Sequence, residues 1–148
     1  MPYLISRHHV EPLLTAVIRS RVKQADLSSV VPAQCGEVWN FCRDAGLPKP
    51  GRHMAYYLDG EINLEVGVEV GQSFVGNDRV VCSSLPGGMV ASTVHMGPYS
   101  QLGAAHQAIH EWCKQQGHTL AGPSWEIYGH MGPDPSQVRT DVFYLLSP

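Results

Sequence analysis

Two stretches of the chain place apolar residues at the three- and four-residue intervals of an amphipathic helix. The first runs from residue 28 to residue 45, and its apolar stripe is formed by Val31, Cys35, Val38 and Cys42. The second begins after Ser100, and its stripe is formed by Leu102, Ala105, Ile109, Trp112 and Cys113. Gly46 and Gly117 follow the two stripes, and glycine commonly ends a helix. The pattern therefore predicts two helices.

Outside these helices, short segments of alternating apolar and polar residues are bounded by turn residues, which is typical of strands. Such segments cover residues 9–23, 53–58, 62–70, 124–130 and 138–146. A further segment, 80–95, is interrupted by a turn or bulge at Pro86-Gly87-Gly88. Asp59-Gly60 is a typical two-residue hairpin turn, so we expect the segments on either side of it to pair.

The sequence repeats itself. Residues 41–46 (FCRDAG) are matched by residues 112–117 (WCKQQG) at a constant offset of 71. Further matches follow along the chain, and the offset later grows by five: Ala55 with Glu126, Tyr57 with Tyr128, and Val68 with Tyr144. The sharpest difference between matched positions is that between Ala55 and Glu126.

This duplication predicts a single domain over residues 1–148, made of two β-α-β-β units. The first unit spans about 9–70, a polar linker spans 71–79, and the second unit spans 80–148. Each unit is too small to bury its own apolar face, so the two should pack around a pseudo-two-fold axis. We expect an α+β fold in which two helices cover a twisted antiparallel sheet, with a cavity where the units meet.

The composition is that of a globular chain, with 43% hydrophobic and 16% charged residues in 148. The net charge is −3 and the ten Lys and Arg residues are scattered, which argues against a nucleic-acid partner. No run of about 18 apolar residues predicts a membrane span. The four cysteines form no C-x-x-C pair, which favours buried thiols in a reducing, cytoplasmic location.

Few residues suggest metal or cofactor chemistry. His106 and His110 lie one helical turn apart, a spacing that can chelate zinc, but no third ligand is indicated. A solvated helix face is the simpler interpretation of this pair. The glycines are not followed by the Lys-Ser/Thr of a phosphate-binding loop, and no serine or cysteine lies in a nucleophile motif. We therefore expect neither a metal nor a cofactor.

Glu126 is the most informative candidate residue. It lies in a predicted strand between Trp125 and Ile127, where a carboxylate is unfavourable unless it is paired or solvated. It is either an ordinary surface glutamate or a carboxylate that faces a cavity. The candidate aromatic walls, for which core packing is the alternative, are Trp125, Tyr128, Tyr57, Tyr144 and Trp39, the last about 80° from its helix's apolar stripe.

The second half also carries a series of motifs in a characteristic order. They are Leu85-Pro86-Gly87-Gly88, His95-Met96-Gly97-Pro98-Tyr99, Gly122-Pro123-Ser124-Trp125-Glu126-Ile127-Tyr128, Pro133 and Pro135, and Thr140-Asp141-Val142. In this the chain resembles the GyrI-like effector-binding family, which includes drug-sensing domains of bacterial transcription regulators. The resemblance implies a pocket between two duplicated halves, in which Glu126 faces the positive charge of a lipophilic cation.

Three functions remain open at this point. The first is a stand-alone, monomeric binding module for small planar lipophilic, cationic compounds. The second is a hydrolase that opens cyclopropane rings of DNA-alkylating natural products, as some relatives do, with Glu126 activating water and Trp125 or a tyrosine holding the substrate. The third is a regulator fragment or inhibitor that acts through a protein partner such as gyrase.

Overall fold

Eight strands and two helices form the part of the chain that the computed structural model describes, namely residues 3–48, 50–58, 63–129 and 137–148. The helices are α1 (Leu27–Asp44) and α2 (Gly103–Gln116), and short 3-10 turns at Gln24–Asp26 and Tyr99–Gln101 precede them. The strands are β1 (Ser6–Val10), β2 (Leu13–Arg21), β3 (His53–Tyr57), β4 (Asn63–Glu69), β5 (Val80–Leu85), β6 (Gly88–Met96), β7 (Leu120–Tyr128) and β8 (Arg139–Leu146). The predicted Asp59-Gly60 turn, Pro133 and Pro135 lie outside the described residues.

The strands form one antiparallel sheet in the order β1-β6-β8-β7-β3-β4-β2-β5. This order is symmetric about the β7–β3 pair, since β8 and β4, then β6 and β2, take equivalent places on either side. The two-helix, antiparallel α+β fold predicted from the sequence is confirmed. Each half has one strand more than predicted, and that strand is exchanged: β1 pairs with β6 of the other half, and β5 pairs with β2.

The extra strands arise where proline divides an apolar segment. Pro12 separates β1 from β2, and Pro86 separates β5 from β6, because proline has no N–H to donate to a sheet ladder. The segment 9–23, predicted as one strand, is therefore two. A Cβ at Gly87 would lie 2.6 Å from Cδ of Pro12, so the close approach of these two connections requires glycine.

Both helices bury their predicted stripes against the same face of the sheet, here called the helix face. Cys35, Val38 and Cys42 of α1 are buried, and so are Ala105, Ile109 and Cys113 of α2. Gly46 and Gly117 follow the helices with φ of +69° and +75°, which glycine adopts without strain. In the described part of the chain, neither helix combines the length and apolar character that a membrane crossing requires.

The opposite face of the sheet carries no helix in the described part of the chain, yet it holds a hydrophobic cluster. Met54, Trp125 and Ile127 are each at most 4% exposed in this cluster. Val10 of β1 and Val81 of β5, from the two edges of the sheet, pack against the same cluster. Residues of the central strands and of both edge strands thus belong to one cluster on this face.

The register of the central β3–β7 ladder places Glu126 at the symmetry axis. Ala55 pairs with Glu126, while Met54 pairs with Ile127 and Tyr56 with Trp125. In sequence, Ala55 and Glu126 are matched positions of the repeat, so the axis passes between these two residues. A residue at this point contacts both halves of the domain.

Candidate functional site

A cavity of about 1040 Å³ lies on the helix face, between α1 and α2 and over β3 and β7. This is a size suited to a small organic molecule. Its α1 wall is mainly apolar and is formed by Leu27, Ser28, Val31, Pro32 and Cys35. Its floor and its α2 wall are richer in polar and aromatic groups: His53, Tyr57, Ser124, Glu126, Tyr128, Tyr144, Tyr99, Ser100, Leu102, His106 and His110.

The Glu126 carboxylate lies in the floor of this cavity and is only 5% exposed. Its Oε1 accepts a hydrogen bond from Tyr128 Oη at 2.6 Å and a longer one from Tyr57 Oη at 3.4 Å. Its Oε2 lies 2.6 Å from Nε2 of His106. No Lys or Arg, and no second carboxylate, is found among the described residues that line the cavity. Glu126 is therefore the one carboxylic acid in the described lining of the cavity, and no Lys or Arg of that lining balances it.

His106 extends the hydrogen bonding away from the carboxylate. Its Nδ1 lies 2.6 Å from Oη of Tyr144, on β8, and the imidazole side chain is 23% exposed. The expectation of a solvated helix face is therefore wrong for His106. A usable signal was present in the sequence, because His106 follows Leu102 by four residues and precedes Ile109 by three, at the flank of the apolar stripe.

The tyrosine hydroxyls around the carboxylate remain protonated and can act as donors. Burial, followed by the negative charge of Glu126, raises the pKa of Tyr57 and of Tyr128 far above the ordinary value. Burial also raises the pKa of Tyr99, whose ring lies edge-on to that of Tyr128 at a centroid distance of 5.6 Å. Cys35 is a neutral thiol as well, since burial raises its pKa to about 12.

Four of the six residues singled out from the sequence line this cavity together: Glu126, Tyr57, Tyr128 and Tyr144. Trp125 does not, because successive side chains of a strand point to opposite faces. It is 2% exposed on the opposite face and stacks on Phe143 at a centroid distance of 5.6 Å. Trp39 lies beside the cavity, 37% exposed, with its ring 5.4 Å from that of His53.

An aromatic cavity with one buried carboxylate, held on a duplicated antiparallel sheet, defines a domain that binds small molecules. The chain belongs to the family of GyrI-like small molecule binding domains, whose family model matches residues 55–146. No curated protein sequence matches the chain.

Solved structures share this fold at low sequence identity. The C-terminal domain of EcmrR is 16% identical, with a TM-score of 0.82 and 99% of each chain covered. SAV2435, solved with tetraphenylphosphonium bound, is 11% identical with a TM-score of 0.72, over 99% of this chain and 94% of that one. A hydrolase encoded by lin2189 of Listeria innocua is 12% identical with a TM-score of 0.63, over 97% and 91% of the two chains.

Proposed function

We propose that this protein binds small lipophilic cations in the cavity between its two halves, with Glu126 as the counter-charge. The observation that carries the proposal is a carboxylate that is 5% exposed in a cavity whose described lining holds no Lys or Arg. Such a carboxylate has already lost most of its hydration. At an effective dielectric constant of about 20, a cation at about 4 Å would gain about 4 kcal/mol of Coulomb energy.

The remaining walls suit the rest of such a ligand. The rings of Tyr57, Tyr99, Tyr128 and Tyr144 border the space around the carboxylate, and each good cation–π contact contributes about 0.5–2 kcal/mol. The apolar α1 wall would hold a flat hydrocarbon body. Tetraphenylphosphonium, which is bound in the structure of the neighbour SAV2435, is a lipophilic cation with four phenyl rings.

A titration with a planar cationic dye, followed by fluorescence anisotropy, tests this function. Glu126→Gln keeps the shape of the side chain and removes its charge, and we expect affinity to fall by at least about tenfold, or about 1.4 kcal/mol. Glu111→Gln, at an exposed position of α2, makes the same change in net charge and should leave affinity unaltered. If Glu126→Gln and Glu111→Gln bound the dye with equal affinity, the proposal would be contradicted.

The cyclopropanoid hydrolase is a second candidate, and the close pair of His106 Nε2 and Glu126 Oε2 favours it. This pair could take a proton from water as the water oxygen bonds to a ring carbon. The electron pair of the broken C–C bond would pass into the conjugated remainder of the substrate and be protonated there. Trp125 faces away from the cavity, so tyrosines would hold the substrate. A product heavier by one water in mass spectrometry, absent with Glu126→Gln, would support this activity.

We further propose that the protein acts as a monomer in the cytoplasm. The β3–β7 ladder already joins the two halves across the axis, which is the role that an interface between copies plays in a symmetric dimer. The four cysteines are free thiols, the form that a reducing compartment maintains. Light scattering at increasing protein concentration tests whether the protein is a monomer. A molecular mass that doubles as the concentration rises would contradict this.

A further inference from the structure

The place that a ligand's positive charge would take beside Glu126 is already bordered by an ionisable group. His106 Nε2 lies 2.6 Å from Oε2 of the carboxylate, and His106 Nδ1 lies 2.6 Å from Tyr144 Oη. The three residues form one continuous chain of hydrogen bonds. Their counterparts in the first half carry no carboxylic acid and no imidazole, since they are Ala55, Cys35 and Val68. The hydrogen-bonded series of Glu126, His106 and Tyr144 thus occurs in the second half and has no equivalent in the first.

The hydrogen-bonded series can keep both of its hydrogen bonds whether the His106 ring is neutral or positively charged. In the neutral imidazole, Nε2–H donates to Glu126 and Nδ1 accepts from the Tyr144 hydroxyl. In the imidazolium, both nitrogens donate, and the hydroxyl oxygen of Tyr144 accepts. Only the hydroxyl hydrogen has to rotate between the two states. Imidazole is also the side chain whose charge ordinarily changes near neutral pH.

We propose that His106 carries the proton that balances Glu126 in the empty cavity, and that a cationic ligand binds with release of this proton to water. The inference rests on the proposed function and specifies its mechanism. A ligand cation and an imidazolium beside the same carboxylate repel each other, so the bound state favours the neutral imidazole. His106 then determines specificity, because only a ligand that carries positive charge would displace the proton.

Each of the other titratable groups around Glu126, His106 and Tyr144 either keeps its charge near neutral pH or makes no contact with the carboxylate. Burial raises the pKa values of the three tyrosine hydroxyls and of the Cys35 thiol, and lowers the pKa of the His53 imidazole. His110 borders Tyr144 through its ring, at a centroid distance of 4.8 Å. These groups are Tyr57 and His53 on β3, Tyr99 before α2, Tyr128 on β7, Cys35 on α1 and His110 on α2.

Isothermal titration calorimetry of the full chain with tetraphenylphosphonium tests the inference. Binding is measured at pH 6, 7 and 8 in two buffers of different ionisation enthalpy, from which the number of released protons is obtained. We expect up to about one proton released per ligand at the lower pH, falling as pH rises. Affinity should rise with pH by up to about tenfold per unit. Triphenylphosphine oxide, a neutral aryl compound, should release no proton.

His106→Gln should still bind tetraphenylphosphonium but release no proton, and its affinity should become independent of pH in this range. His8→Gln, which removes an exposed imidazole of β1 outside the cavity, should behave as the wild type does. Binding by the wild type without proton release would overturn the inference and leave the proposed function intact. Release that survives His106→Gln and disappears in His110→Gln would also overturn it. Absence of any binding would overturn both.

Discussion

Equivalent positions of the two halves carry different chemistry around the cavity. On the helices, Cys35 of α1 corresponds to His106 of α2, and both line the cavity. On the strands, Ala55 corresponds to Glu126, and Val68 of β4 corresponds to Tyr144 of β8. Glu126 and Tyr144 line the cavity, whereas Ala55 and Val68 are fully buried. The symmetric fold thus supplies the space, and substitutions confined to one half supply the charge.

The two halves also share one feature of the cavity, a tyrosine hydroxyl that faces Glu126. Tyr57 and Tyr128 are matched residues, and both hydroxyls point to the same carboxylate oxygen of Glu126, at 3.4 Å and 2.6 Å. The carboxylate at the axis is thus held from both sides, while the imidazole reaches it from one side only. A ligand in this cavity would lie asymmetrically, with its charged end toward α2 and its apolar body along α1.

The largest effect is expected when the first half is given the charge of the second. Ala55→Glu would place two carboxylates on directly paired residues, whose Cβ atoms are about 4.5–5.5 Å apart in a β-ladder. One of the two carboxyls would have to stay protonated at pH 7, which costs about 4 kcal/mol for a group that ordinarily titrates near 4.3. Urea denaturation should show a loss of stability of about this size.

The pH dependence of this variant distinguishes charge from size. The folded-state pKa of the added carboxyl is raised, so the lost stability should be recovered progressively as pH falls from 7 toward about 4.3, where the carboxyl becomes protonated in the unfolded chain as well. Ala55→Gln is the matched control, because it adds nearly the same volume without charge. If the two variants unfolded alike at every pH, the axis would not be the charged centre described above.

A smaller effect is expected from the paired tyrosines. Tyr128→Phe removes the 2.6 Å hydrogen bond to a buried carboxylate, and hydrogen bonds to charged groups contribute about 1.5–3 kcal/mol. Tyr57→Phe removes only the 3.4 Å contact and should cost less than about 1 kcal/mol. Urea denaturation of the two variants compares them directly. A larger loss in Tyr57→Phe would show that the carboxylate is held mainly from the first half.

Local patterns predicted the helices, most of the strands and the pairing of β3 with β4, but not the pairing of the other strands. The stripes of α1 and α2 and their terminal glycines follow from the 3.6-residue period alone. The exchange of β1 and β5 between halves leaves no such trace, because a strand that pairs within its half has the same alternation as one that pairs across. Pro12 marks the break between β1 and β2, whereas the alternation over residues 9–23 predicts one strand across it.

Which residues line the cavity follows from the sequence where strand alternation fixes the residues that share a face, but not where packing between elements decides. Glu126, Tyr128 and Tyr57 follow from the repeat and from the alternation of side chains. The same rule places Trp125, the neighbour of Glu126 along β7, on the opposite face. The prediction that Trp125 lines the cavity is wrong for this reason. His106 reaches Glu126 from a separate element, and its distance from the carboxylate depends on how α2 packs on the sheet.

The smallest expected effect concerns His53, whose counterpart in the second half is Ser124. Burial lowers the pKa of His53 below its ordinary value of 6.5, partly offset by the Gly67 backbone. Below pH 6.5 the unfolded chain then binds more protons than the folded one. The stability that neutral His53 contributes is therefore fully present above pH 6.5 and is lost as pH falls below this value. His53→Ser should flatten this fall between pH 7.5 and pH 5.5, as measured by urea midpoints, whereas His8→Gln should not. A steeper fall in His53→Ser would mean that the folded protein stabilises the imidazolium at this position, and that the first half also contributes a cation to the cavity.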